Sequence, residues 1–172
     1  GDSNTGVTLA GTTSIIDTTN NGGNAAGGGI TLGGAINGTA ANTQSLTLNA
    51  GTGGAISATG NIGATTTLAT LTITNSNGAT FSGSVATGTS VVLTDTTDAA
   101  NITFNGALTT PTLTTAAQGY DLDILGGGTA VTNNVSFANT GTLALGDAAA
   151  DTLSSRRTSG SGRVVSRRCE SP

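Results

Sequence analysis

The sequence predicts an all-β protein built as a parallel β-helix of roughly six coils, with no helices of note. Three observations carry that expectation. Thr (36), Gly (28), Ala (24) and Asn (15) supply 103 of the 172 residues, and Thr prefers strands while Asn and Gly prefer turns. The straight-chain residues that lose least rotamer freedom in a helix are nearly missing, with no Lys, one Glu and two Gln. Finally, Leu, Ile, Val and Phe number only 34, too few for a thick core, yet they recur as apolar-x-apolar triplets between Gly/Asn turns. Disorder is the competing expectation for so few large apolar residues. Against it, only 8% of residues are charged and the net charge is -4, so like-charge repulsion does not hold the chain open.

The repeat can be followed along the chain. The phrases SIIDTTNNGGNAAGGGITLGGAING (14–38), SLTLNAGTGGAISATGNIG (45–63), LTITNSNGATFSGSVATG (71–88), SVVLTDTTDAANITFNGALTT (90–110) and YDLDILGGGTAVTNNVSFANTGTLALGD (120–147) share one plan. A strand is followed by a polar turn, a second strand, and a small-residue turn with a further apolar position. First strands are anchored by Leu46/Leu48, Leu71/Ile73, Val91/Leu93 and Leu122/Ile124. Second strands are anchored by Ile30, Ile56, Phe81, Ile102/Phe104 and Val135/Phe137. A third, shorter strand is expected around Leu68, Val85, Leu108 or Leu113, and Leu143/Leu145. The first strands step by 25, 20 and 31 residues, a loose period that a solenoid accommodates by bulging extra residues outward at its corners. Stacking also explains the sparse apolar content, because each coil seals the few inward side chains of its neighbours. An antiparallel sandwich and a disordered Thr/Gly-rich linker are the alternatives.

These phrases, LTLNAGTGGAIS, ATFSGSVATG, ITFNGALTT and TGTLALGDAAADTL among them, resemble the β-strand repeats of large bacterial exoproteins. The group comprises filamentous-haemagglutinin-like adhesins and autotransporter passenger domains, and the likeness covers about residues 14–153. It implies a right-handed parallel β-helix, export to the bacterial cell surface, and a structural or adhesive stalk whose partners are host or neighbouring-cell glycans and proteins and the flanking repeats of a parent chain. The chain lacks an initiator Met and a recognisable signal peptide, so an internal piece of a longer polypeptide is expected. No apolar run is long enough to cross a membrane as a helix.

After Leu153 the composition changes. Residues 1–153 carry eight Asp and no basic group, whereas SSRRTSGSGRVVSRRCESP (154–172) holds all five Arg, the single Cys and the single Glu. The chain therefore divides into a solenoid segment, 1–153, and a basic tail, 154–172, expected to be flexible and non-native. A basic arm for nucleic acid is the other reading, but such arms usually accompany a basic folded surface with aromatics, so no nucleic-acid partner is expected. Neither Gly1–Asn4 nor the Arg tail has the pattern of a solenoid cap.

Candidate chemistry is thin. With no His and no Lys, His-based triads, His-based metal sites and Walker-type phosphate loops are excluded, and LGGGT (125–129) is a turn. Asp121 and Asp123 lie two apart on one strand face, an arrangement some β-helical polysaccharide-cleaving enzymes use. A solvated strand face is the simpler reading, because no basic or aromatic groups accompany them to hold a sugar. Asp95 with Asp98, and Asp147 with Asp151, could contribute oxygens to calcium, yet calcium takes six to eight and no GGxGxD repeat supplies them. Three Asn-x-Ser/Thr sequons, at Asn37, Asn101 and Asn134, are what a Thr-rich chain yields by chance. A flat outward Thr array would suggest ice binding, but the outward positions Thr47, Thr72, Val92 and Asp123 do not maintain the row. The expectation is thus a non-enzymatic chain with no catalytic, cofactor-binding or metal-binding residues and no cofactor. A carbohydrate-cleaving enzyme fragment and a surface-layer protein are the alternatives.

Overall fold

A computed structural model describes residues 6–147 and 154–155. The chain is all-β among these residues and winds into a parallel β-solenoid of about five turns. The lead-in strand β1 (Val7–Leu9) precedes a first turn made of β2 (Thr13–Asp17), β3 (Ile30–Leu32) and β4 (Ile36–Gly38). The second turn is β5 (Ser45–Asn49), β6 (Ile56–Ala58) and a single bridging residue, Ile62. The third is β7 (Leu68–Asn75), β8 (Ala79–Phe81) and the start of β9 (Val85–Leu93), which rounds an edge and opens the fourth turn. That turn continues through β10 (Asn101–Phe104) and β11 (Leu108–Thr110). The fifth is β12 (Thr112–Thr115), β13 (Asp121–Ile124) and β14 (Ala130–Val131), with β15 (Leu143–Leu145) and β16 (Ser154–Ser155) below it.

Every strand pairing is parallel, which removes the antiparallel sandwich. Three sheets result. The first face stacks β2, β5, β7, the second half of β9, and β12. The second stacks β3, β6, β8, β10, β13 and β15. The third stacks β1, β4, Ile62, the first half of β9, β11, β14 and β16.

Inside, like sits on like. Leu46, Leu71, Val91 and Leu113 form one inward column of the first face, and Ile30, Ile56, Ala79, Ile102 and Leu122 one of the second, all buried. Each fully buried Leu, Ile or Phe contributes roughly 1.5–3 kcal/mol of transfer free energy. The rings of Phe81 and Phe104, direct partners in register, stack with centroids 4.9 Å apart and planes inclined by 10°, a separation close to the ~4.8 Å between rungs. Polar side chains that turn inward at the edges pair the same way: Ser76 Oγ with Thr96 Oγ1 at 3.2 Å, and Thr87 Oγ1 donating to Thr110 Oγ1 at 2.8 Å.

The edge between the second and third faces is a glycine column, Gly34, Gly60, Gly83, Gly106 and Gly126. A Cβ on Gly60 would lie 2.3 Å from the Gly34 backbone, and one on Gly106 would lie 2.3 Å from that of Gly83. The chain turns there so tightly that backbone rests on backbone. Directly after each glycine the main chain bonds to the next coil, as in Ile36 N to Asn61 O (2.9 Å), Ile62 N to Ser84 O (2.8 Å) and Val85 N to Ala107 O (2.9 Å).

Several anchors lie on other faces than their spacing suggested. Leu122/Ile124 belong to the second face, under Ile102 and Phe104, and Leu113 with Thr115 is the missing first-face strand, under Val91 and Leu93. The first-face steps are therefore 25, 20 and 22 residues (46 to 71, 71 to 91, 91 to 113), and the apparent 31-residue gap is one coil plus the nine residues from Leu113 to Leu122 on the next face. Val135/Phe137 run beside β12 on the first face, where Asn133 N donates to Pro111 O and Ala138 N to Thr115 Oγ1. Leu143/Leu145 close the second face, and Leu68 sits on the edge opposite Thr87. Val85 and Leu108 occupy the third face as expected, and the turns number about five where six were expected. The long first-coil loop between β2 and β3 bulges outward as predicted, with Asn20 and Asn21 at φ 54° and 53°. Thr18 clasps its base, its Oγ1 donating to Gly28 O (2.7 Å) while Gly28 N donates back (2.9 Å). Gly1–Asn4 and residues 156–172, including most of the Arg-rich tail, lie outside the described residues.

Gly83→Ala should lower stability by about 1–3 kcal/mol or more through overpacking, whereas Gly11→Ala, whose Cβ has no neighbour closer than 3.6 Å, should change it by less than about 0.5 kcal/mol. Chemical denaturation midpoints read both. Equal effects would mean that the coils are not in backbone contact at this edge.

Candidate functional site

Asp121 and Asp123 point outward from β13, both half-buried, as their spacing predicted. Each is engaged with a neighbouring coil. Asp121 Oδ1 accepts from Thr142 N at 2.5 Å, and Asp123 Oδ2 accepts from Asn101 Nδ2 at 2.9 Å. No Lys, Arg or His occurs among the described residues to accompany them, and the two bonds tie β13 to the coils on either side of it.

The calcium candidates are drawn apart. Asp95 Oδ2 accepts from Asn75 Nδ2 at 3.5 Å, one coil up, while Asp98 Oδ1 accepts from Gly119 N at 3.1 Å, one coil down. Among the described residues no three His, Cys, Asp or Glu side chains converge. Asp147 is described but Asp151 lies outside the described residues.

A polar column marks the edge between the first and second faces. Asp17, Asn49 and Asn75 are in register, and Asn75 continues the column to Asp95. At its end, Asp17 Oδ1 accepts from Thr19 Oγ1 (2.5 Å) and Thr19 N (2.6 Å). The Thr19 hydroxyl, aided by the Thr19 amide, stabilises the charged form and holds the Asp17 carboxyl below its ordinary value of 3.8. Tyr120, whose hydroxyl accepts from Ala116 N at 3.2 Å, is pushed the other way by burial.

The first face carries a feature that the spacing had hidden. Between its buried residues, two ranks of side chains point outward in register. One is Thr13, Ser45, Thr70, Ser90 and Thr112; the other is Ile15, Thr47, Thr72, Val92 and Thr114. The Thr row expected to break at Asp123 does not reach it, because Asp123 lies on the second face and Thr114 takes its place beneath Val92. Eight of the ten positions bear a hydroxyl and none is charged. The signal that could have found them is the Thr-x-Thr pair at 70–72 and 112–114 with Ser45-x-Thr47. Among the described residues the second face offers one such rank along its length, Thr31, Ser57, Thr80, Thr103, Asp123 and Ala144, because its strands are three or four residues long.

The chain matches no protein-family model, no curated protein and no solved structure.

A depressed Asp17 carboxyl contributes stability that is present above its unfolded value and lost as pH falls through the lower folded one. Thermal melting followed from pH 5 downward should therefore fall less steeply for Asp17→Asn than for the wild type below about pH 4. Parallel curves would show that the Thr19 contacts do not favour the charged form.

Proposed function

We propose that the chain is a structural and adhesive stalk segment of a large bacterial exoprotein, carried on the cell surface, where it holds a binding region away from the cell and contacts host or neighbouring-cell glycans and proteins. The observation that carries this reading is the unbroken parallel ladder through about five turns. Six rungs on the second face give five steps of ~4.8 Å, a rod of roughly 24 Å, and further coils of the same plan would lengthen it without redesign. Hydrogen bonds and stacked side chains run along that axis, so a pull applied at the ends loads many contacts together. The resemblance of the strand phrases to haemagglutinin-like and passenger-domain repeats supports the surface location. The Thr/Asn-rich, sparsely charged exterior suits a scaffold that works through length.

Pulled from its ends in a force spectrometer, the chain should yield in coil-sized steps. Coils of 20 to 26 residues (Ile102 to Leu122, Ile30 to Ile56) release about 7–9 nm of extended chain each. A featureless extension at low force would contradict a load-bearing role. Antibodies to the chain should label intact cells that make it; labelling only after permeabilisation would contradict the surface location. Turnover of an acidic polysaccharide that disappears in Asp121→Ala and Asp123→Ala would replace the stalk with an enzyme.

A further inference from the structure

We propose that the first face is an ice-binding surface. Its two outward ranks form a grid whose dimensions the backbone fixes: rungs are ~4.8 Å apart, and positions i and i+2 along a strand are roughly 6.6 Å apart. The side chains on it are Thr at six of ten positions, Ser at two, and Ile15 and Val92 at the others. All the non-Ser positions are β-branched and therefore nearly fixed in rotamer. The buried column between the ranks, Leu46, Leu71, Val91 and Leu113, is at most 3% exposed, which anchors the sheet from beneath.

Such a grid selects its ligand by periodicity. A soluble sugar or peptide is held by converging groups in a concavity, and a flat repeat gives it no single favoured position. A ligand gains from every rung together only if it is itself a rigid lattice with comparable repeats in two directions. Ice meets that condition. The Thr and Ser hydroxyls extend the hydrogen-bond lattice of its surface, and the Thr, Ile and Val methyl groups sit over its open water rings, where first-shell water is already orientationally restricted. Each contact is weak, but the eight β-branched side chains of the grid act with little rotamer entropy left to lose. Charge would disrupt the match by holding a hydration shell of its own, and the ranks contain none. The second face differs here, since Asp123 interrupts its single rank and Asp121 stands beside it. This role is independent of the stalk reading and goes beyond it.

The test uses the full chain, with Thr72→Tyr at the centre of the grid, Thr47→Tyr one coil away, and Thr80→Tyr on the second face as control. All three positions point outward, so circular dichroism and melting temperature should stay at wild-type values. The wild type and Thr80→Tyr should be taken up into slowly growing ice and open a gap between melting and freezing temperatures. Thr72→Tyr and Thr47→Tyr should lose both properties while remaining folded. Exclusion of the folded wild type from ice would overturn the proposal. Retention on crystalline cellulose or chitin without ice uptake would also overturn it, as would a Thr72-dependent dimer without ice uptake.

Discussion

Coil-to-coil backbone contact at the glycine edge is the constraint from which the rest of the structure follows. Where Gly60 lies on Gly34, Gly83 on Gly60 and Gly106 on Gly83, any side chain would occupy the space of the neighbouring main chain. The absence of Cβ atoms lets the coils approach to the separation at which parallel strands bond. Once one edge is set at that separation, the three faces inherit a common rise. In-register pairing then extends along each of them, from Ile30↔Ile56↔Ala79 on the second face to Ser14↔Leu46↔Leu71 on the first.

A common rise explains how so few large apolar residues suffice. Each inward side chain is covered from above and below by its counterparts, so a column one residue wide is buried along its length. The same register places polar residues beside polar residues. Ser76 meets Thr96 and Thr87 meets Thr110, so groups that would be costly to bury singly find partners one coil away. Outside, the register cannot be escaped either. Whatever occupies an outward position is repeated at strand spacing, which converts a Thr-rich composition into an ordered surface on the face with the longest strands.

The architecture was legible because alternation and turn chemistry agree in almost every coil. Leu46-x-Leu48, Leu71-x-Ile73 and Val91-x-Leu93 stand out as strands and do stack on one another. The phase was lost at the fifth coil for a physical reason. There the first-face strand is Leu113-x-Thr115, with a Thr replacing the second apolar residue, and its Thr115 hydroxyl bonds the adjoining segment through Ser136 O and Ala138 N. Half of the apolar signature is absent, and the well-formed Leu122-x-Ile124 of the next face took its place. The third face is faint because a coil can cross it with one bridging residue, Ile62, or with Ala130–Val131. The glycine edge left a readable trace, an apolar-x-Gly-x-apolar phrase at 58–62, 81–85 and 104–108, whose meaning depends on a neighbouring coil that local sequence does not display. Asp121 and Asp123 were placed correctly on an outward face, but only the fold shows that each is occupied with another coil.

A stalk and a lattice-binding face draw on the same property, a rigid repeat along one axis, and both fail if the coils are not superposed in this register. The most direct measurement is disulfide trapping between outward positions of the second face, in a Cys169→Ser background. Ser57 pairs with Thr80 and Thr80 with Thr103, so Cys at either pair should close an intramolecular bridge on mild oxidation and leave the fold intact. Cys at Ser57 and Thr103, two coils apart, should not close. Bridging of the distant pair, or failure of both adjacent pairs, would contradict the stacked-coil account.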